Sequence, residues 1–211
     1  MTLWKDCLPE SLETKYEVYN FNYAVEILSN AYADNFREIC SVLESFQISV
    51  RDIVSPGGSE SEIPKKFSAL LNPLGWTEAS IRGDLLVCLK KHGSLEVEER
   101  TIENFIGGHK IDYVKGSIAF DMEWNSKDQT FDRDLYAFRS FYECGIISCG
   151  IIVTRSAELN DVFAKLDVKK KYGASTTWMG KLLPRIYSRR HGGCPLFVLG
   201  IKPTLISDWN D

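Results

Sequence analysis

Two near-continuous apolar runs, IISCGIIV (146–153) and PLFVLGIK (195–202), constrain this chain more than any other feature. A strand that is apolar on both sides has to be covered on both, so helices must lie above and below the sheet that holds it. The rest of the sequence offers those helices. SAELNDVFAKL opens with a Ser in capping position and continues as a helix. Residues 132–144 turn Leu135, Phe138 and Phe141/Tyr142 inward. Residues 22–47 repeat Val25, Leu28, Tyr32, Phe36, Ile39, Leu43 and Phe46 at steps of three and four, which predicts one long amphipathic helix. That helix either covers the sheet or meets a partner subunit.

KKFSALLNPLGW predicts a short helix closed by Gly75, and DLLVCLKK (84–91) a strand. LEVEERTIENF (95–105) reads as a surface helix and VSPGGSESEIP (54–64) as a flexible loop. Short strands are expected at 111–115 and 117–124, with Gly116 permitting the turn between them. The predicted class is therefore α/β (α+β), a central mixed sheet flanked by helices.

With 44% hydrophobic and 26% charged residues the composition is that of a globular protein rather than a disordered or membrane-spanning one. The opening MTLWKDCLPESLE lacks a basic-then-apolar leader, and six scattered cysteines show no C-x-x-C pair. Free thiols in a cytoplasmic, prokaryotic setting are expected. The net charge of −4 is unevenly spread. From 165 to 202 there are nine Lys or Arg against one acid, a segment of +8 that leaves −12 for the remainder. Such polarity suits a basic surface facing phosphates, or equally a solvated lysine-rich loop beside a basic helix face.

The chemistry concentrates in HKIDYVKGSIAFDMEWNSKDQTFDRDL (109–135). Alternation along SIAFDMEWN puts Ile118, Phe120, Met122 and Trp124 on one face and Ala119, Asp121, Glu123 and Asn125 on the other. Two carboxylates two positions apart start roughly 6.5–7 Å from one another at the backbone, so their tips can converge on one ion. Asp112, across the Gly116 turn, adds a third oxygen donor. Carboxylates without Cys or His suit Mg²⁺, which takes one or two of them and keeps waters for a phosphate. An amphipathic strand with a solvated acidic face is the plainer alternative.

The spacing I-D-x₈-D-x-E-W resembles the active-site hairpin of the PD-(D/E)xK nuclease superfamily, in particular the BglII/BstYI-like type II restriction endonucleases. The helix ending in Gly75-Trp76 and the block GASTTWMGKLLPRIYSRRHGGCPLFVLGI (173–201) resemble further parts of that group, so the likeness spans roughly 64–202. It implies a restriction-endonuclease-like fold and a Mg²⁺-dependent double-strand cut at a short, specific, palindromic DNA site. Mn²⁺ would substitute, and Ca²⁺ would support binding without cleavage. The implied catalytic residues are Asp112, Asp121 and Glu123, with Asp112, Asp121 and the backbone carbonyl of Met122 on the metal. The wider superfamily has Lys where Glu123 stands, and more often Glu where Asp121 stands. The attacking water would then be activated by the metal, with Glu123 orienting or deprotonating it.

DNA contacts are expected from His109, Lys110, Asn125, Ser126, Lys127 and Arg133, and from the hydroxyls Ser175, Thr176 and Thr177, which are as well placed to cap a helix. Lys181, Arg185, Arg189, Arg190 and His191 complete the set, with Lys115 a further phosphate neighbour, and Pro184 is expected to bend or break the helix they share. The organisation that follows is a single endonuclease domain over 1–211. Residues 1–63 form a helical dimerisation region and loop, 64–164 the catalytic core, and 165–211 the basic recognition segment and final strand. A two-fold homodimer is expected for a palindrome, using the 22–47 helix or the 131–141 helix, with a cognate DNA methyltransferase in the same restriction-modification system. Two alternatives stay open: a repair or defence nuclease of relaxed specificity, and a non-catalytic sequence-specific DNA-binding protein.

Overall fold

The computed structural model describes residues 4–56 and 61–209. Its sheet holds six strands in the order β1-β6-β5-β4-β3-β2: β1 (Tyr16–Phe21), β2 (Thr77–Lys90), β3 (Val97–Lys115), β4 (Ile118–Met122), β5 (Cys149–Arg155) and β6 (Leu196–Ile201). β4, β5 and β6 run parallel, and the outer pairings are antiparallel. The helices are α1 (Glu10–Lys15), α2 (Ala24–Ala31), α3 (Ala33–Ser45), α4 (Val50–Val54), α5 (Glu62–Leu71), α6 (Thr130–Glu143), α7 (Leu159–Lys165) and α8 (Met179–Tyr187).

Both faces of the central strands are covered, as the two apolar runs require. On one face Phe120, Ile151, Val153, Phe197 and Leu199 pack with residues of α1–α5 and α7. On the other, Ala119, Ile152, Leu196 and Val198 meet α6 and α8. The alternation along β4 is as expected: Ile118, Phe120 and Met122 face the first layer, Ala119 the second. All six cysteines are free thiols.

Several expectations need correction. The 22–47 stretch is two helices, broken at Tyr32, whose φ of −132° and ψ of 41° are not helical. Its stripe is interior, with Val25, Leu28, Phe36, Ile39, Leu43 and Phe46 all buried, so it is not available as a subunit interface. The preceding KYEVYNF, unremarked in the sequence, supplies edge strand β1 against β6. The acidic 95–105 stretch is not a helix. It is the outer half of β3, paired residue for residue with β2 from Leu85↔Ile102 to Lys90↔Val97. Charged residues dominated that reading, whereas Val97, Thr101, Ile102 and Phe105 are residues that favour strands. The 146–153 strand begins only at Cys149, and Ser156 is buried beside β6 rather than capping α7. α8 runs on through Pro184, held by buried Met179, Leu182 and Ile186. Of the expected 54–64 loop, residues 57–60 lie outside those described, and α5 begins at Glu62.

A small pair seats α6 on the sheet. Ala119 and Gly150 are register partners across β4 and β5. A Cβ at Gly150 would stand 2.5 Å from a Phe138 ring carbon and 2.8 Å from Leu196. Gly150→Ala should therefore force α6 outward and destabilise the protein by ~1–3 kcal/mol, the usual range for overpacking. Thermal denaturation checks this, and an unchanged melting temperature would contradict so close a seat.

Candidate active site

The acidic hairpin owes its shape to a β-bulge. Thr77 pairs with Val114 and Ala79 with Ile111, so two steps on β2 oppose three on β3. The extra residue falls at Asp112–Tyr113. In consequence Ile111 joins the α6 side of the core while Tyr113 joins the other. Bulges of this kind re-aim side chains beside active sites. Here the Asp112 N–H donates to Asp121 Oδ1 at 2.8 Å, which fixes the two acids side by side.

Beyond the last residue of β4, the Glu123 N–H donates to the Val153 carbonyl at 2.9 Å and holds Glu123 against β5. Asp121 and Glu123 are 3% and 6% exposed, so the expected acidic face is not solvated. Opposite them α6 contributes a fourth carboxylate that the sequence reading missed. Asp134 is 3% exposed, and its Oδ1 accepts from Arg133 Nη2 at 3.0 Å, while Arg133 Nη2 stands 3.9 Å from Glu123 Oε1. The signal was present, since Asp134 interrupts the inward stripe Phe131, Leu135, Phe138 of α6.

These acids divide two spaces. A cavity of about 300 Å³ is lined by Glu78, Gly108, His109, Lys110, Asp112, Asp121, Glu123, Arg133 and Asp134. A groove of about 940 Å³ on the other side runs from Ser61, Pro64, Ser68 and Asn72 of the α5 region to Glu123, Asn125, Ser126 and Lys171. Glu78, Asp112 and Glu123 line both. Met122, whose side chain is in the core, also borders the groove.

The electrostatics are unbalanced. Burial, then Asp134 and Asp112, pushes the Asp121 carboxyl well above its ordinary range. Burial and Asp134 push Glu123 up to about 8, against a hydrogen bond from Ser126, and burial raises Asp134 despite Arg133. Glu123 Oε2 and Asp134 Oδ2 are buried without a partner. A divalent cation beside Asp121 would offset the charge, and the orphan oxygens could accept hydrogen bonds from the waters it keeps, so the donor set fits Mg²⁺. Among the described residues, no three His, Cys, Asp or Glu side chains close into a ready protein cage. An ion here would have to complete its shell with water or phosphate.

The other expected contacts divide sharply. His109 packs edge-on to Tyr136 at 4.7 Å, and Lys110 pairs with Glu78 at 2.7 Å, both at the rim of the smaller cavity. Arg133 belongs to the acid cluster rather than standing apart at the helix start. Asn125 and Ser126 line the groove, and Lys127 forms an isolated bridge with Thr176. Ser175 is exposed. Thr177 and His191 require correction: they are 0% and 3% exposed, so neither reaches a ligand surface as placed. Arg185 is bound to Asp132 at 3.1 Å and Asp128 at 3.4 Å, and Arg190 also pairs with Asp132. Those cations neutralise the acids at the start of α6 instead of standing free. Lys181 lies 3.9 Å from Asp128, and exposed Arg189 pairs with no carboxylate among the described residues. Lys115 turns to Glu38 of α3 at 2.7 Å.

The model of one family, described as restriction endonuclease BglII/BglIII, matches residues 16–201, from the first residue of β1 to the last of β6. The chain belongs to that family. The mixed sheet flanked by helices is thus a restriction endonuclease fold, and the protein is a type II restriction endonuclease, a site-specific deoxyribonuclease that binds DNA. No curated protein matches the sequence. No helix among the described residues of the endonuclease is long and apolar enough to cross a membrane.

The raised carboxyls have a direct consequence for stability. A folded-state value above the unfolded one means the fold favours the neutral acid, so stability is full below the ordinary Glu value of 4.5 and is lost as pH rises through about 8. The melting temperature of the metal-free endonuclease should fall between about pH 5 and pH 8, with each ~1 kcal/mol worth roughly 2–4 °C. Glu123→Gln should shrink that fall. A melting temperature that stays level for the wild type would show the cluster to be compensated already.

Proposed function

We propose that this endonuclease cuts both strands of a short, specific, palindromic duplex by Mg²⁺-dependent phosphodiester hydrolysis, acting as a homodimer. The observation that carries this reading is the pair of unpartnered buried oxygens, Glu123 Oε2 and Asp134 Oδ2, on residues that line the smaller cavity together with Asp121. Asp112, Asp121 and the Met122 carbonyl would hold the ion. Bound there, Mg²⁺ supplies Lewis-acid stabilisation of charge developing on the scissile phosphate.

The chain's own residues do the rest. Glu123, held neutral by its surroundings in the free protein, becomes a base once its negative neighbours are compensated, and can then take a proton from an attacking water. Asp134 keeps that carboxyl high in the proton scale, and Arg133 orients the pair while remaining exposed enough to meet phosphate. Asn125, Ser126 and Lys127 follow Glu123 directly and place polar groups beside the cut. Lys110, Lys181, Arg189 and Ser175 supply outer contacts to the backbone or bases. With the α2–α3 stripe buried in the core, the outward side of α6, where Tyr136 and Tyr142 are exposed, remains as the expected dimer face. A methyltransferase protecting the same site would accompany such an enzyme.

A purely DNA-binding role leaves the buried acids without purpose, since negative charge next to phosphate weakens binding. Incubation with phage DNA and Mg²⁺ should yield discrete fragments. Asp112→Ala, Asp121→Asn and Glu123→Ala should each slow cleavage by at least roughly 10²–10⁴-fold while leaving binding in Ca²⁺ intact or tighter. Wild-type rates in any of the three would remove that residue from the chemistry. Arg189→Ala should lower the slope of log affinity against log salt by about one. An unaltered slope would take Arg189 off the interface.

A further inference from the structure

Arg155, the last residue of β5, is 1% exposed and faces no carboxylate among the described residues. Its guanidinium lies 6.0 Å from the Trp124 ring, 5.2 Å from Phe163 and 5.1 Å from Tyr172. Cation–π contact partly offsets the loss of water but does not explain why a cation is there, since an apolar side chain would fill an aromatic box at lower cost. The directional donors explain it. Nε donates to the Thr177 carbonyl at 2.9 Å, and Nη2 donates to Thr176 Oγ1 at 2.6 Å.

The loop so gripped is tied to the residues that follow the catalytic strand. The Thr177 N–H donates to the Ser126 carbonyl at 2.9 Å, the Asp128 N–H to the Ser175 carbonyl at 2.8 Å, and Lys127 bridges Thr176. Ser126 stands three residues beyond Glu123 and lines the same groove. A continuous chain of bonds therefore runs from β5 through the 175–177 loop to the segment that follows the acid cluster.

We propose that Arg155 is a positioning residue that locks the 175–177 loop and the 126–128 segment in register with the catalytic carboxylates, so that cleavage is coupled to correct reading of the DNA. The coupling rests on the nuclease reading above; the locking of the loop does not. Lys keeps the charge but cannot offer two donors in a fixed fork, which makes Arg155→Lys the discriminating variant.

Amide hydrogen exchange on the DNA-free protein separates the two. In Arg155→Lys the amides of Asp128 and Thr177 should exchange at least about tenfold faster, with those of β5 and β6 unchanged. Thr176→Val, which removes one acceptor from outside the core, should loosen the same amides and tests the lock if Arg155→Lys does not fold. With Mg²⁺ and phage DNA, Arg155→Lys should lower kcat by roughly 10²-fold with little change in KM, and should add fragments from near-cognate sites. Arg155→Lys/Thr176→Val should be no worse than the poorer single variant, because both act on one contact. Unaltered loop exchange, exchange raised across the whole sheet, or additive losses would each overturn the proposal. Absence of cutting by the wild type would sink the nuclease reading and leave the exchange result to decide the lock.

Discussion

Carboxylates brought together out of water set the terms for this molecule. Two unit charges about 4 Å apart repel by ~4 kcal/mol at the effective dielectric of a protein margin, and more where burial is deeper. Asp121, Glu123 and Asp134 are all buried, and the nearest cation, Arg133, has a largely exposed side chain that can return only a small part of that repulsion. Burial makes the neutral form easier to hold, most of all at Asp121 and Glu123, whose carboxyls are pushed up, and two oxygens are left without partners. An arrangement this unfavourable persists because the surrounding structure is strong enough to impose it.

That structure is the pair of parallel strands β4 and β5 with helices on both sides. The Ala119–Gly150 pair lets α6 sit close, which brings Asp134 to the end of β4, and the bulge in β3 turns Asp112 to Asp121. Core packing, a missing side chain and one extra residue thus place four acids from three elements around the same point. A polar groove lies beside them, lined in part by Asn125 and Ser126, and Ser126 is bonded in turn to the loop gripped by Arg155.

How far this was legible in the sequence depends on the element. IISCGIIV and PLFVLGIK announced central strands because nothing polar interrupts them, and SIAFDMEWN announced its two faces by alternation. The break at Tyr32 carried no Gly or Pro to mark it, so one helix was expected where there are two. LEVEERTIENF looked helical by charge, but its pairing with β2 depends on partners across the hairpin, from Lys90↔Val97 out to Leu85↔Ile102, beyond the reach of a local pattern. Asp134 was hidden as one acid among many on α6. Thr177 and His191 looked like surface groups by type, and only packing shows that they are interior. The basic surplus at 165–202 was visible, but not its partial neutralisation by Asp128 and Asp132, which approach from another element.

Calorimetric titration of the DNA-free protein with Mn²⁺ near neutral pH tests the account most directly, run in two buffers of different ionisation enthalpy. One saturable site that releases protons on binding, and that disappears in Asp121→Asn, is the predicted result, because burial raises the Asp121 and Glu123 carboxyls and a bound cation would favour their ionised forms. No saturable binding, or binding that Asp121→Asn leaves untouched, would contradict it.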